Sequence, residues 1–254
     1  MRKINAALFT ALALIFIFPV AATVVLSFKS GGGLSLKPYA DLLFDCFVFY
    51  PMFWNSMLYA VAITIAQLAV IIPCAFGFSQ AKFKGKGALF VFYIVLMMMP
   101  LQVTILPNYI GLRDIGLLDH PLGIIMPMIF SPFGVVVMHQ YMKNIDSSLI
   151  DATRLETNSV FRVILTAVVP QIRVCIFAVV LFVFADCWNM VEQPMLFLSD
   201  DRLKTMSVFI TNAQEYTGEV LVPAAVIFMI PVLILYLFFN EHLENGLTLG
   251  GLSE

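Results

Sequence analysis

Apolar runs alternate with short polar stretches along this chain, and six of the runs are long. They cover Ala6 to Phe28, Met57 to Phe78, Ala88 to Leu106, Leu122 to Met142, Ile172 to Leu198 and Val220 to Phe239. Each holds about 19 to 27 residues, enough at about 1.5 Å per residue to cross roughly 30 Å of hydrocarbon. Backbone groups in lipid must be satisfied within their own segment, so the runs predict helices. The expected fold is an all-α membrane protein with about six transmembrane helices, forming one domain over residues 1–254. The first run follows Arg2 and Lys3 and contains Val20-Ala21-Ala22, a spelling that a signal peptide also shows. Its continuation to Phe28, with further spans behind it, favours a retained helix.

The polar stretch between the fourth and fifth runs is the odd one. Residues 143–173 read KNIDSSLIDATRLETNSVFRVILTAVVPQIR, far longer than a turn between spans requires. Ser148-Leu149-Ile150-Asp151 has capping-box spacing, which predicts a short helix from Ser148 to Glu156 with Ser148 as its cap. Thr157-Asn158-Ser159 should end it, being poor helix-interior residues. Beyond them Val160, Phe161, Ile164, Leu165, Val168 and Val169 recur as one apolar helical face until Pro170 interrupts it.

Composition agrees with a membrane chain. Hydrophobic residues make up 61% and charged residues 12%, against about 45–50% and 25% in soluble domains. Mean hydropathy is +0.96. The net charge of -2 argues against a nucleic-acid partner. Cys46, Cys74, Cys175 and Cys187 lack metal-type spacing and read as inert thiols, and no metal site is expected.

Lys and Arg placement orients the spans. One side holds Arg2, Lys3, Lys82, Lys84, Lys86, Lys143, Arg154, Arg162 and Arg173; the other holds Lys29, Lys37, Arg113, Arg202 and Lys204. The bias puts the island and both termini in the cytoplasm. The longer outer loops, Lys29 to Ser56 and Ser199 to Glu219, carry acids and aromatics that anchor the membrane boundary or meet an extracytoplasmic partner.

Asp186 lies 14 residues past Ile172, about 21 Å along a helix, at hydrocarbon depth. A charge there costs roughly 2.5–3.5 kcal/mol and should face protein or water. Asp186, Asn189 and Gln193 fall on one stripe, with Glu192 beside it. They either bond between helices at a subunit interface or line a translocation path. Gln67 and Gln102 are further polar residues at depth, and His139 reads as an interfacial residue.

Residues of the island and beyond resemble the permeases of ABC importers, the family of binding-protein-dependent transport inner membrane components. That family's coupling motif has Glu-Ala-Ala, a Gly six residues after the Glu, and a closing Leu-Pro. Asp151-Ala152-Thr153, Thr157 and Val169-Pro170 stand in those places, and Asn158 is the candidate for the left-handed turn a Gly would supply. Phe78 to Gly85, Leu112 to Pro127, Trp188-Asn189 with Pro194 to Leu198, Pro223-Ala224-Ala225 with Ile230-Pro231-Val232, and the tail from Asn245 to Gly251 resemble the carbohydrate-importer branch, its maltose-type second permease subunit in particular.

The resemblance implies a bacterial inner-membrane, multi-pass permease subunit working with a second permease, two cytoplasmic ABC ATPase subunits and an extracytoplasmic solute-binding protein. Residues 143–173 would be its cytoplasmic coupling loop. Asp151, Ala152, Thr153, Arg154, Leu155, Glu156 and Thr157 would meet an ATPase, the tail would be a second candidate for contact with the ATPase pair, and the solute would be a sugar or oligosaccharide. The chain has no Walker A pattern, so ATP and Mg belong to the partners, with no cofactor here and no catalytic residues. Two alternatives remain open: an importer permease for another solute such as glycerol phosphate, or an ion-coupled secondary transporter using Asp186 and Glu192.

Overall fold

The apolar run from Met57 to Phe78 becomes the post against which other helices stand. The computed structural model describes residues 2–212 and 216–250, with side chains for residues 8–212 and 216–240. Helix α1 (Arg2–Leu26) leads into a hairpin of β1 (Lys29–Ser30) and β2 (Gly33–Leu34). Gly31 and Gly32 turn the hairpin with positive φ at both positions, as a type I′ turn demands. Then α2 (Phe49–Gln80) runs 32 residues, well beyond the expected Met57 to Phe78, because the aromatic stretch from Phe49 joins the helix. Tyr59, Ile63, Ile71 and Ala75 on it are wholly buried. Helix α1 lies at the edge and touches the last helix, with none of its apolar window buried within the chain.

The expected third span is not one helix. It divides into α3 (Lys86–Met97) and α4 (Leu101–Asp114), bent by 95°. Pro100 takes an extended conformation there and pushes Met99 out of the helical region, which stops α3. The fourth span runs Pro121–Met142 as expected but is broken inside, into α5 (Pro121–Met128) and α6 (Pro132–Met142). Ser131 caps α6 through its hydroxyl, which accepts from the Gly134 amide.

The island folds as α7 (Ser147–Glu156) and α8 (Val160–Gln171), in the order the periodicity predicts but with three differences. The cap is Asp146, whose carboxylate accepts from the Ser148 amide at 2.9 Å, so the Ser148–Asp151 capping box does not form. A carboxylate placed one residue before the first helical turn outcompetes a hydroxyl within it. Asn158 is not left-handed; Asp119 alone among described non-glycine residues has positive φ. The chain turns instead on an extended Thr157, whose hydroxyl accepts from the Ser159 amide. Finally, the buried face of α8 is Val163, Ile164, Ala167 and Val168, whereas Val160, Phe161 and Leu165 point outward. A π-turn runs over Ile164–Val168, and Pro170, which has no N–H to donate, follows it without breaking the helix.

An 88° bend at Ile172 starts α9 (Arg173–Trp188). The expected fifth span to Leu198 stops early: α9 ends at Trp188 and α10 (Glu192–Phe197) follows a short break. The last carbonyls of α9 would be stranded there. Ser207 Oγ donates to the Trp188 carbonyl at 2.6 Å and Thr205 Oγ1 to that of Met190 at 3.2 Å. Those hydroxyls belong to a segment that looked like outer loop. It folds back as α11 (Met206–Thr211), with Met206, Ser207, Val208 and Phe209 buried. Ser56 Oγ accepts from the Met206 amide, and Tyr59 donates to the Leu203 carbonyl, fastening the segment to α2.

The last helix, α12 (Gly218–Gly250), packs on α9 and α11. Among the described residues four segments are long and apolar enough to span, the interrupted Pro121–Met142 among them, or six when each bent pair counts as one span. That is the number the apolar runs predict. The side chains of the tail from Asn245, and residues 251–254 altogether, lie outside the described residues.

Candidate functional site

Three breaks in the apolar helices meet around one space. The α3–α4 bend, the α5–α6 break and the α9–α10 break line an open cavity of about 720 Å³, with Gln67 of α2 on a fourth side. Non-helical backbone at membrane depth is stable only where protein or water satisfies it, so breaks and cavity explain each other. Asp186, Asn189, Glu192 and Gln193, picked from the sequence as one stripe, all line this space. The α9–α10 break carries them: Asn189 ends α9, its side-chain amide donating back to the Ala185 carbonyl at 2.7 Å, and Glu192 opens α10.

Gln67 and Gln102 belong here too. Gln67 Nε2 donates to the Met128 carbonyl at 2.6 Å, satisfying the frayed end of α5, while its buried Oε1 has no partner. Gln102 Nε2 reaches Glu192 Oε1 at 3.4 Å, tying α4 to α10. Gln193 Nε2 lies 3.6 Å from Met128 Sδ. Thr104 and Asn108 of α4 also line the cavity, and sequence reading did not single them out as a site. The signal for them was Pro100, which turns α4 so that its polar positions face α9.

Asp119 holds the far end of α10. Its amide donates to the Phe197 carbonyl at 2.9 Å, and its carboxylate accepts from the Ser199 amide. Its positive φ aims both groups at the end of α10. Nearby, Arg202 donates to the Asp200 carboxylate, and these hydrogen bonds hold that carboxyl below its usual range. Phe44, Phe47 and Trp54, between α1 and the body of α2, stand exposed. His139 packs against Phe78 and Phe90, and among the described residues no three metal-ligating side chains gather as a site. The four cysteines are free thiols; Cys175 and Cys187 are buried, Cys46 and Cys74 half-buried.

At the other end, α7 shows two faces. Ile150 is 2% exposed and roots the helix, which packs on the π-turn of α8. Asp151, Ala152, Leu155 and Glu156 fall at i, i+1, i+4 and i+5, one outward stripe. All four are exposed, Leu155 by 91%. Arg154 is exposed beside them, and none of Asp151, Arg154 and Glu156 forms an ion pair among the described residues. Thr153 is half-buried with its hydroxyl donating to the Leu149 carbonyl at 2.9 Å, and Thr157 is half-buried in the turn.

Hydrogen bonding from the Ser148 amide holds the Asp146 carboxyl below its usual range. A depressed folded value means the cap contributes above the unfolded value and is lost as pH falls through the folded one. Amide-exchange protection at Ser148, corrected for intrinsic rate, should therefore drop on acidification. In Asp146→Ala it should be low at neutral pH already and stay flat; protection equal to the parent would contradict the cap.

Apolar helices broken around a polar cavity, with one bare charged helix beyond them, define a multi-pass helical membrane protein of the transporter class. The chain belongs to the family of binding-protein-dependent transport system inner membrane components, whose pattern it matches over residues 67–249. It is 25% identical to the arabinooligosaccharides transport system permease protein AraQ of Bacillus subtilis, across 96% of this chain and 93% of that protein. It is also 25% identical to the trehalose/maltose transport system permease protein MalG of Thermococcus litoralis, across 95% and 93%. Similarity to the sn-glycerol-3-phosphate permease protein UgpE of Agrobacterium fabrum, 25% identical, covers 78% and 72%. In fold, it matches a chain of a bacterial ABC transporter that imports the acidic polysaccharide alginate, with TM-score 0.83 over 94% of this chain and 95% of that one. The chain is thus a transport permease subunit rather than an enzyme, and membership in this family displaces the ion-coupled alternative.

Proposed function

We propose that the chain is one of two permease subunits of a bacterial ABC importer for a carbohydrate, a sugar or oligosaccharide delivered by an extracytoplasmic binding protein. The observation that carries the solute class is near-full-length similarity to permeases named for arabinooligosaccharides and for trehalose/maltose. The broken-helix cavity with Asp186, Asn189, Glu192 and Gln193 is this subunit's share of the path. The outward stripe of α7 sits in a cleft of one of two cytoplasmic ATPase subunits, which bind ATP and Mg, and both termini share that side. The basic residues of the island and of the Lys82 loop support the orientation. Closure of the ATPases pushes α7, and α8 passes the movement to α9 because Val163, Ile164 and Val168 are packed in the same core as Ile172 and Cys175.

Deleting the gene should abolish uptake of labelled arabinotriose, trehalose or maltose by the parent cells. The lost uptake should depend on ATP and persist under an ionophore that collapses ion gradients. Unchanged uptake of all three sugars would overturn the carbohydrate reading, and ionophore-sensitive, ATP-independent uptake would overturn the mechanism.

A further inference from the structure

Charge is unevenly distributed around the cavity. Asp186 and Glu192 line it, and no Lys, Arg or His does. Among the described residues neither acid has a cationic partner: Asp186 forms no ion pair, and the Glu192 carboxylate meets the neutral amide of Gln102. Gln67 stands in the wall with its amide nitrogen committed to the Met128 carbonyl. Some donors on the wall are engaged: Asn189 bonds back to Ala185, Gln193 meets Met128 and Thr104 donates to the Leu101 carbonyl, while Asn108 and Ser131 also stand in the lining. The space therefore offers acceptors and negative charge to whatever enters it.

Hydroxyl groups suit such a wall, because each can donate to a carboxylate. Phosphates and carboxylates do not, since they bring acceptors and like charge into a space with low-dielectric walls. We propose that this cavity admits neutral, hydroxyl-rich solutes and rejects anionic ones, phosphorylated polyols and uronic-acid sugars alike, with Asp186 and Glu192 as the selecting residues. This rests on the reading of the cavity as part of the solute path.

The field can be tested without knowing the solute. Thr104→Cys and Asn108→Cys, placed singly in a chain whose four cysteines are replaced by serine or alanine, put one thiol on the cavity wall. The chain is assembled with its partner subunits in membrane vesicles of both orientations. Rates of modification by a cationic methanethiosulfonate (the ethyltrimethylammonium reagent) and an anionic one (the ethylsulfonate) are then compared. Their ratio is normalised to that with a free thiol in solution. Charged clefts shift local ion concentrations by about ten to a thousandfold, so a normalised ratio of about ten or more is expected. It should fall close to one when Asp186→Asn and Glu192→Gln are combined.

A ratio near one in the parent, or one unmoved by the double substitution, would overturn the proposal. So would failure of both positions to react from either side, which would show a cavity sealed from solute. Sugar uptake failing while the ratio holds would instead overturn the carbohydrate reading and leave the field intact.

Discussion

Exchanging Leu155 for Asp should leave the chain inserted and folded yet reduce transport to background. The side chain is 91% exposed and lies on the outward stripe of α7, so its loss removes no packing within the chain. Exposed leucines scattered singly are unremarkable. This one stands out because Asp151 and Glu156 flank it on a helix whose other face is rooted by Ile150. Burying a leucine in a partner's pocket contributes about 1.5–3 kcal/mol, and placing a carboxylate there adds a desolvation cost on top. Affinity for the ATPase should fall by roughly a hundredfold or more, since each 1.4 kcal/mol is a factor of ten. Co-purification of the ATPases and ATP-driven uptake should be lost together, with membrane levels unchanged. Asp151→Ala and Glu156→Ala should act in the same direction more weakly, through register and orientation of docking. Normal ATPase co-purification in Leu155→Asp would refute α7 as the docking helix.

The helices were legible because each apolar run is long enough to leave little choice of structure. The breaks were not, and the prolines show why. Pro19, Pro73, Pro107, Pro223 and Pro231 lie inside continuous helices, whereas Pro100 and Pro132 mark the bends that open the cavity. In a membrane, neighbouring helices can satisfy the group a proline frees, so the residue type alone does not say which will break. The polar stripe of Asp186, Asn189 and Gln193 was readable from spacing, yet its true setting is a helix end with a re-started helix. Segment 199–211 was misread for a related reason. Its Thr205 and Ser207 look like loop residues, but their hydroxyls are spent inside, on the carbonyls that α9 leaves over. In α8 the period was right and the phase wrong: the buried pairs Val163-Ile164 and Ala167-Val168 each stand one residue before the expected ones.

Replacing Trp188 with Ala should cost the most stability of any single change in the chain. Trp188 is fully buried where α9, α2 and α12 meet. Its ring stacks on Phe228 at 5.1 Å and on Phe184 at 5.7 Å, and Phe53 meets it edge-on at 5.8 Å. Its indole N–H donates to the Phe228 carbonyl at 3.0 Å. Large-to-small changes of this size cost about 3–5 kcal/mol in soluble cores. Here the loss should sit near the low end, about 3 kcal/mol, because lipid solvates an unpacked ring better than water and only packing and the hydrogen bond are forfeited. The cavity would also free Phe53 and Phe228, loosening the α9 end that positions Asp186 and Asn189. Trp188→Phe separates the two contributions: it keeps an aromatic in the stack and removes the donor, for about 1 kcal/mol. Thermal melting of the purified chain with its partners in detergent should rank parent, Trp188→Phe and Trp188→Ala in that order. An alanine variant melting with the parent would mean that the three helices are held together elsewhere, and that the α9–α10 break keeps its shape without the aromatic stack beneath it.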